Sequence, residues 1–196
     1  EDEVAPYFAL RKISIENVRG IPRICLNAEP FFFHGLLDQG YFSDGIYLPA
    51  TPKGYENDIL AMKNQGFNTL RKHIKIEPEL FYYYCDKHGM IVFQDMVNNG
   101  TYSFIRDTAL PTIGFKKRND KRGRKDYLVF FEQAMVDTVS ALYNHPCICY
   151  WTIYNEGWGQ IDSQKMYEKM KTLDTSRIID TASGWFKGAE SDVESE

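Results

Sequence analysis

The chain has 196 residues, 43% hydrophobic and 15% aromatic, with a formal net charge of -4. That is enough apolar material for one globular domain with a core, and an acidic average surface has no general attraction for nucleic acid or anionic membranes, which need a basic face. No apolar run approaches the roughly 20 residues needed to cross a bilayer, and the start Glu1-Asp2-Glu3 is unlike a secretory leader; the compartment stays open, since a processed leader leaves no trace.

In chain order, the alternating run from Phe8 to Ile15 and the extended RICLN after Gly20 and Pro22 predict a β-hairpin. Phe31 to Leu37, apolar on both faces and too short for a helix, predicts a strand covered on both sides. Tyr55, Ile59, Leu60 and Met62 lie at helical spacing behind Thr51-Pro52, with Gly66 as the stop. A second strand is expected over Phe67 to Ile76, then a helix opened by Glu77-Pro78 and closed by Gly89, then a third strand over Met90 to Asp95. A long polar loop leads to the amphipathic helix of Leu128, Phe131, Met135, Val139 and Leu142, ended by Asn144-His145-Pro146. Cys147 to Tyr154 is a fourth strand, Met166 to Leu173 a helix and Ile178 to Ala182 a fifth strand. The cysteines Cys25, Cys85, Cys147 and Cys149 lack zinc or redox spacing and read as reduced packing residues; no metal or cofactor is expected.

Strands alternating with helices demand a parallel sheet with right-handed crossovers, closed as a barrel or open and doubly wound. No glycine-rich phosphate loop follows any strand, so nucleotide binding by an open sheet has no support. Ligands of parallel βα folds bind at the carboxyl ends of the strands. Those ends carry Asp38, then Arg71 and His73, then Asp95, then Asn155-Glu156, then Ser183-Gly184-Trp185. Planar hydrogen-bonding groups, an indole and carboxylates are the inventory of a carbohydrate site. Cleaving a glycosidic bond needs one acid to protonate the leaving oxygen and a second carboxylate to attack or to activate water. Glu156, between the uncharged CICYWTIY and Gly157-Trp158, is the candidate acid, with an apolar setting expected to favour its protonated form; the plainer reading is a solvated residue opening the next helix. Asp38 and Asp95 have the alternative of pairing with Arg71 for stability alone, and Trp151 reads as core.

The segment NHPCICYWTIYNEGWG resembles the Asn-His-Pro…Trp…Asn-Glu segment of glycoside hydrolase family two, the β-galactosidase, β-glucuronidase and β-mannosidase group. FFFHGLLDQGYFSDGIY, GFNTLRKHIKIEP and YCDKHGMIVFQDM are similar to that family's first three strands, in order. The resemblance implies a (β/α)8 TIM-barrel fold present only in part, about the first five βα units, over 17–196. Residues 1–16 would close a preceding immunoglobulin-like β-sandwich. It further implies Glu156 as general acid/base, Asn155 on the sugar 2-hydroxyl, Arg71 near the nucleophile and His73 on the substrate, with Asp38, Asp95, Trp158 and Trp185 shaping the pocket.

In that family the nucleophilic glutamate ends the seventh strand, and no carboxylate here matches its motif. The expectation is therefore a retaining β-glycosidase segment, probed with a β-glycoside, that is inactive without the missing barrel half and sandwich domains and that self-associates through its open sheet edges. The rival is a non-catalytic carbohydrate-binding barrel module. The basic cluster Lys116-Lys117-Arg118 to Lys125 lacks interleaved aromatics and reads as a solvated loop or a domain contact, not a nucleic-acid site.

Overall fold

A computed structural model describes residues 6–97, 103–115, 125–156, 160–184 and 189–195, without the side chains of 106, 107, 111, 125 and 126. The basic cluster up to Arg124, Trp158 and Trp185 lie outside the described residues.

The chain opens with a three-stranded antiparallel meander, β1 (Ile13–Val18), β2 (Ile21–Leu26) and β3 (Glu29–Pro30). Both connections have two residues: Val18 pairs with Ile21 and Leu26 with Glu29. Arg19, Gly20, Asn27 and Ala28 all take positive φ, the pattern of type I′ turns, whose twist suits a hairpin. The expected hairpin is thus real but sits further along the chain than the Phe8 to Ile15 alternation suggested. Ahead of it, Arg11 donates to the carbonyls of Pro146 (2.7 Å) and Ile148 (2.6 Å), fixing this segment to the amino end of a later strand.

The second sheet is wholly parallel, in the order β4-β5-β6-β7-β8: β4 (Gly35–Asp38), β5 (Thr69–Lys72), β6 (Ile91–Asp95), β7 (Ile148–Asn155) and β8 (Ile178–Ser183). Between them run α1 (Lys53–Asn64), α2 (Glu79–His88), a π-helical turn at Ile105–Ala109 continuing into the short α3 (Leu110–Thr112), α4 (Lys125–Leu142) and α5 (Ser163–Leu173). This is the first part of a (β/α)8 barrel, with sequential strands adjacent and helices on one face. No helix among the described residues is long and apolar enough to cross a membrane.

Period-two alternation decides which side chains reach the barrel axis. Leu70, Val92, Ile148, Trp151, Ile153 and Ile179 pack with Ile59, Tyr82, Met135, Met166 and Met170 of the helices, forming the core between sheet and helical layer. Trp151 is fully buried there, its indole N–H donating to Asp174 at 2.9 Å. All four cysteines are buried and free.

Two predicted strands are shorter than expected. Phe31–Phe33 precede β4, and Phe32 is 81% exposed, so this apolar run is not a doubly covered strand. β5 stops at Lys72, and Ile74 takes φ 51, turning the chain so that Lys75 and Glu77 fold beneath the loop after β4. There Lys75 donates to the carbonyls of Gly40 and Tyr47, both at 2.5 Å. Gly40 has φ +68, and a Cβ at that position would collide with Glu77 and Lys72, so only glycine fits.

Helices α1 and α2 are joined through Glu56, which is almost buried and accepts from Lys53 (2.7 Å), Lys87 (2.8 Å) and the His88 ring (2.8 Å). These donors pull its carboxyl down to about 2. A carboxyl whose folded pKa is depressed adds stability that is present above its unfolded value, near 4.3, and that is lost as pH falls towards the folded one. Glu56→Gln is therefore expected to lower the unfolding midpoint at neutral pH, with the gap to the parent closing between pH about 4.3 and 2. Chemical denaturation across that range checks it; an undiminished gap at pH 2 would contradict the assignment.

Candidate active site

Four neighbouring strands place one residue each into a connected polar network at their carboxyl ends. Arg71 on β5 grips Asp95 on β6 with two parallel bonds, Nε to Oδ1 and Nη2 to Oδ2, both 3.0 Å. The same Nη2 donates to Asn155 Oδ1 on β7 and to Ser183 Oγ on β8, each at 2.9 Å. Ser183 Oγ also lies 3.3 Å from Asn155 Oδ1. Guanidinium forks match carboxylates in this two-point fashion, which fixes direction as well as charge.

Asp95 is 1% exposed. Burial pushes its carboxyl up, against the pull of the Arg71 guanidinium, the charge of His73 and the Thr152 hydroxyl. Beneath this layer Phe93 and Tyr150 stack with centroids 4.3 Å apart, and Tyr150 donates to Asp180 at 3.0 Å. Burial raises the Asp180 carboxyl too, opposed by bonds from Ser195 and Tyr150. The floor of the site is thus aromatic and water-poor, with each buried carboxyl given donors.

Strand alternation is broken on the way up. Tyr150 and Thr152 face the axis, yet Ile153 and Tyr154 both belong to the outer core, Tyr154 stacking on Phe131 of α4, and Asn155 is the next residue to face in. In β8, Asp180 meets Tyr150 and Ser183 meets Arg71, again three positions apart. The two irregularities match, and Asn155 stays in register with Ser183.

Glu156 follows at once, with φ 52 in the left-handed region. Its N–H donates to Ser183 O at 3.0 Å and lies 3.3 Å from Ser183 Oγ, while its carbonyl accepts from Gln160 Nε2 at 2.6 Å. Left-handed backbone on a residue with a side chain costs about 1–2 kcal/mol, so surrounding bonds must hold it. The residue is exposed, in contrast to the apolar setting expected from its neighbours in sequence: CICYWTIY turns its large side chains to the helices or below the rim.

A parallel βα sheet with its polar cluster at the strands' carboxyl ends has counterparts among known proteins. Residues 18–194 match the model of the glycosyl hydrolases family 2 TIM barrel domain. The chain belongs to glycoside hydrolase family two. A β-galactosidase from Leuconostoc mesenteroides is 27% identical over 177 residues, 89% of this chain and 15% of that protein. A β-glucuronidase from Bacteroides fragilis is 26% identical over 141 residues, 64% of this chain and 19% of that protein. The chain thus spans less than a fifth of the length of these family-two relatives. Among solved structures, a family-two β-galacturonidase from Eisenbergiella tayi superposes with a TM-score of 0.64 at 22% identity, covering 88% of this chain and 28% of that one. A β-D-glucuronidase of Dictyoglomus thermophilum gives 0.69 at 17%, with the same coverage. These likenesses carry the fold.

Of the residues singled out by the family-two resemblance, Arg71, Asp95 and Asn155 share one network, and Glu156 joins it through its backbone. His73 is half-buried, and its backbone N–H donates to Asp38 O at 2.9 Å. Asp38 stands apart. It shares the helix side of β4 with Leu36, so its carboxylate meets Lys72 (3.1 Å) and the Gly40 N–H (2.8 Å) and not the Arg71 cluster. Ser183 was visible in the sequence only as one more strand-end residue; its register with Asn155 is the signal that gives it a place. The buried Lys72, Lys75 and Glu77 had no such signal.

Proposed function

We propose that this chain is the acid/base part of a retaining β-glycosidase, hydrolysing terminal β-glycosidic bonds by double displacement. The observation that carries the reading is the Asn155-Glu156 pair at the end of β7, with Arg71 locking the Asn155 amide. Arginine can only donate, so the Asn155 atom facing it is oxygen, and the NH2 turns the other way as a donor for a sugar hydroxyl. In the first step Glu156 gives its proton to the glycosidic oxygen as a carboxylate attacks the anomeric carbon; the C–O bond breaks and a glycosyl-enzyme ester forms. In the second, Glu156 takes a proton from water, whose oxygen replaces the ester, restoring both groups.

The attacking carboxylate comes from polypeptide beyond these residues and stands about 5–5.5 Å from Glu156, the separation retention requires. The 196-residue chain alone is thus expected to turn over no glycoside; a domain boundary at residue 16 would cut β1, whose Ile13–Glu16 pair with β2. Arg71, the cation of the described network, is held by Asp95, while Lys72 is buried away from it with Asp38 and Glu77. That suits a neutral sugar better than a uronate, and a galactoside is the expected substrate.

Two measurements on the complete polypeptide test this: hydrolysis of nitrophenyl β-galactoside, β-glucuronide and β-mannoside, and the anomer first released, followed by NMR. The expected result is preference for the galactoside with β-sugar appearing first. An initial α-product would overturn the double displacement. Sugar binding with no turnover of any glycoside would leave a carbohydrate-binding module in its place.

A further inference from the structure

We infer that Ser183 is a positioning residue for catalysis, setting both Glu156 and Asn155, an inference that rests on the acid/base reading above. Its hydroxyl has one proton and two lone pairs, and the structure supplies a partner for each. Arg71 Nη2 donates to Oγ at 2.9 Å, the Glu156 N–H approaches it at 3.3 Å, and its own proton faces Asn155 Oδ1 at 3.3 Å. The Ser183 carbonyl accepts from the same Glu156 N–H at 3.0 Å. One residue of β8 thus receives the amide of the proposed acid and helps orient the proposed sugar-binding amide.

The Glu156 backbone gives this anchoring its purpose. At φ 52 it would relax towards an extended or helical form without restraint, and among the described residues Ser183 restrains it on the N–H side and Gln160 on the carbonyl side. A carboxyl must sit within hydrogen-bonding reach of the leaving oxygen, and a displacement near 1 Å can cost about 100-fold. Ser183 is 8% exposed, so water has little access to replace a lost hydroxyl.

Leaving groups separate positioning from mere stability. An alkyl glycoside needs its oxygen protonated, whereas a dinitrophenyl glycoside leaves as a stable anion and needs little help. In the complete polypeptide, Ser183→Ala is expected to reduce kcat/KM for the alkyl β-glycoside about 10- to 100-fold more than for the dinitrophenyl one. Ser183→Thr, which keeps an oxygen at the γ position, should restore most of that difference. In a Glu156→Gln background the Ser183→Ala effect on the ratio should nearly vanish, because both act through one proton transfer. If Ser183→Ala does not fold, Ser183→Cys, close in size but a poor hydrogen bonder, is read on the same ratio. Equal losses with both leaving groups would overturn the inference, as would Thr and Ala variants that behave alike. A Glu156→Gln variant whose own ratio matches the parent would instead remove the acid/base reading itself, and the two failures are therefore distinct.

Discussion

Glu156→Ala in the complete polypeptide is expected to lower kcat/KM for an alkyl β-glycoside by about 10²–10⁴-fold, the usual worth of a positioned general acid or base. A dinitrophenyl β-glycoside should still form the glycosyl-enzyme, because its leaving group departs without a proton. That intermediate then accumulates, since water has no base to activate it, and added azide, which needs none, should restore turnover and release a β-glycosyl azide. The combination is specific. Loss of folding would slow both substrates and would not respond to azide, and a residue that only binds sugar would raise KM without a leaving-group dependence. Activity that survives the substitution unchanged would remove Glu156 from the mechanism while leaving the barrel fold intact. The same substitution leaves the Arg71, Asp95, Asn155 and Ser183 side chains in place, so the effect reads the carboxyl rather than the network.

Glu77→Ala is expected to destabilise the barrel by about 3–5 kcal/mol, the cost of removing one partner from a buried ion pair. The Glu77 side chain is fully buried, with Oε1 2.5 Å from Lys72 Nζ and 2.9 Å from Lys75 Nζ; Oε2 accepts from Tyr55 at 3.2 Å. The two ammonium groups are themselves 1% and 6% exposed. Lys72 would keep Asp38, but Lys75 would be left without a carboxylate, held by the carbonyls of Gly40 and Tyr47 and by the Tyr47 ring face 4.1 Å away. Those two bonds help tie down the loop after β4, beside Phe42 packed on Tyr55, so the loss should appear both as a lower denaturation midpoint and as faster proteolysis between 39 and 50. A Glu77→Ala protein as stable as the parent would mean that water reaches the cluster and that its charges are not desolvated.

The helices and the five parallel strands are legible in the sequence because each is a periodic segment bounded by proline, glycine or a polar loop. Their ends are less so. Phe31–Phe33 reads as strand on hydrophobicity, yet pairing begins only at Gly35, where a Cβ would meet Thr69 of the neighbouring strand at 3.0–3.4 Å. The polar loop predicted after β6 contains helical turns at Ile105–Ala109 and Leu110–Thr112, whose Phe104, Ile105 and Ile113 are exposed and so show no burial pattern to detect. At the site, Arg71, Asp95 and Asn155 could be picked out because they are polar residues at the carboxyl ends of parallel strands, where ligands bind, a rule that also marked Asp38, whose carboxylate the fold turns to the helix side. Ser183 could not, since a serine carries little chemistry of its own and gains its place from pairing with Asn155. The Lys72, Lys75 and Glu77 cluster was hidden for the opposite reason: charged residues are exposed by default, and only the fold reveals that a loop has closed over them.

The matched three-residue steps in β7 and β8, from Thr152 to Asn155 and from Asp180 to Ser183, make the rim sensitive to chain length. Below the irregularity, the β6–β7 pairing carries a shift of its own, Val92 pairing with Ile148 but Phe93 with Tyr150, and there Phe93 stacks on Tyr150 while the Tyr150 hydroxyl holds Asp180. Above it, a single inserted or deleted residue in either strand would turn Asn155 or Ser183 to the helix side and carry Glu156 around with it, because one step along a strand reverses every side chain beyond it. Paired strands can keep such an offset only by changing together. The spacing between the uncharged body of β7 and its terminal Asn-Glu is thus a constraint on sequence length as much as on residue identity.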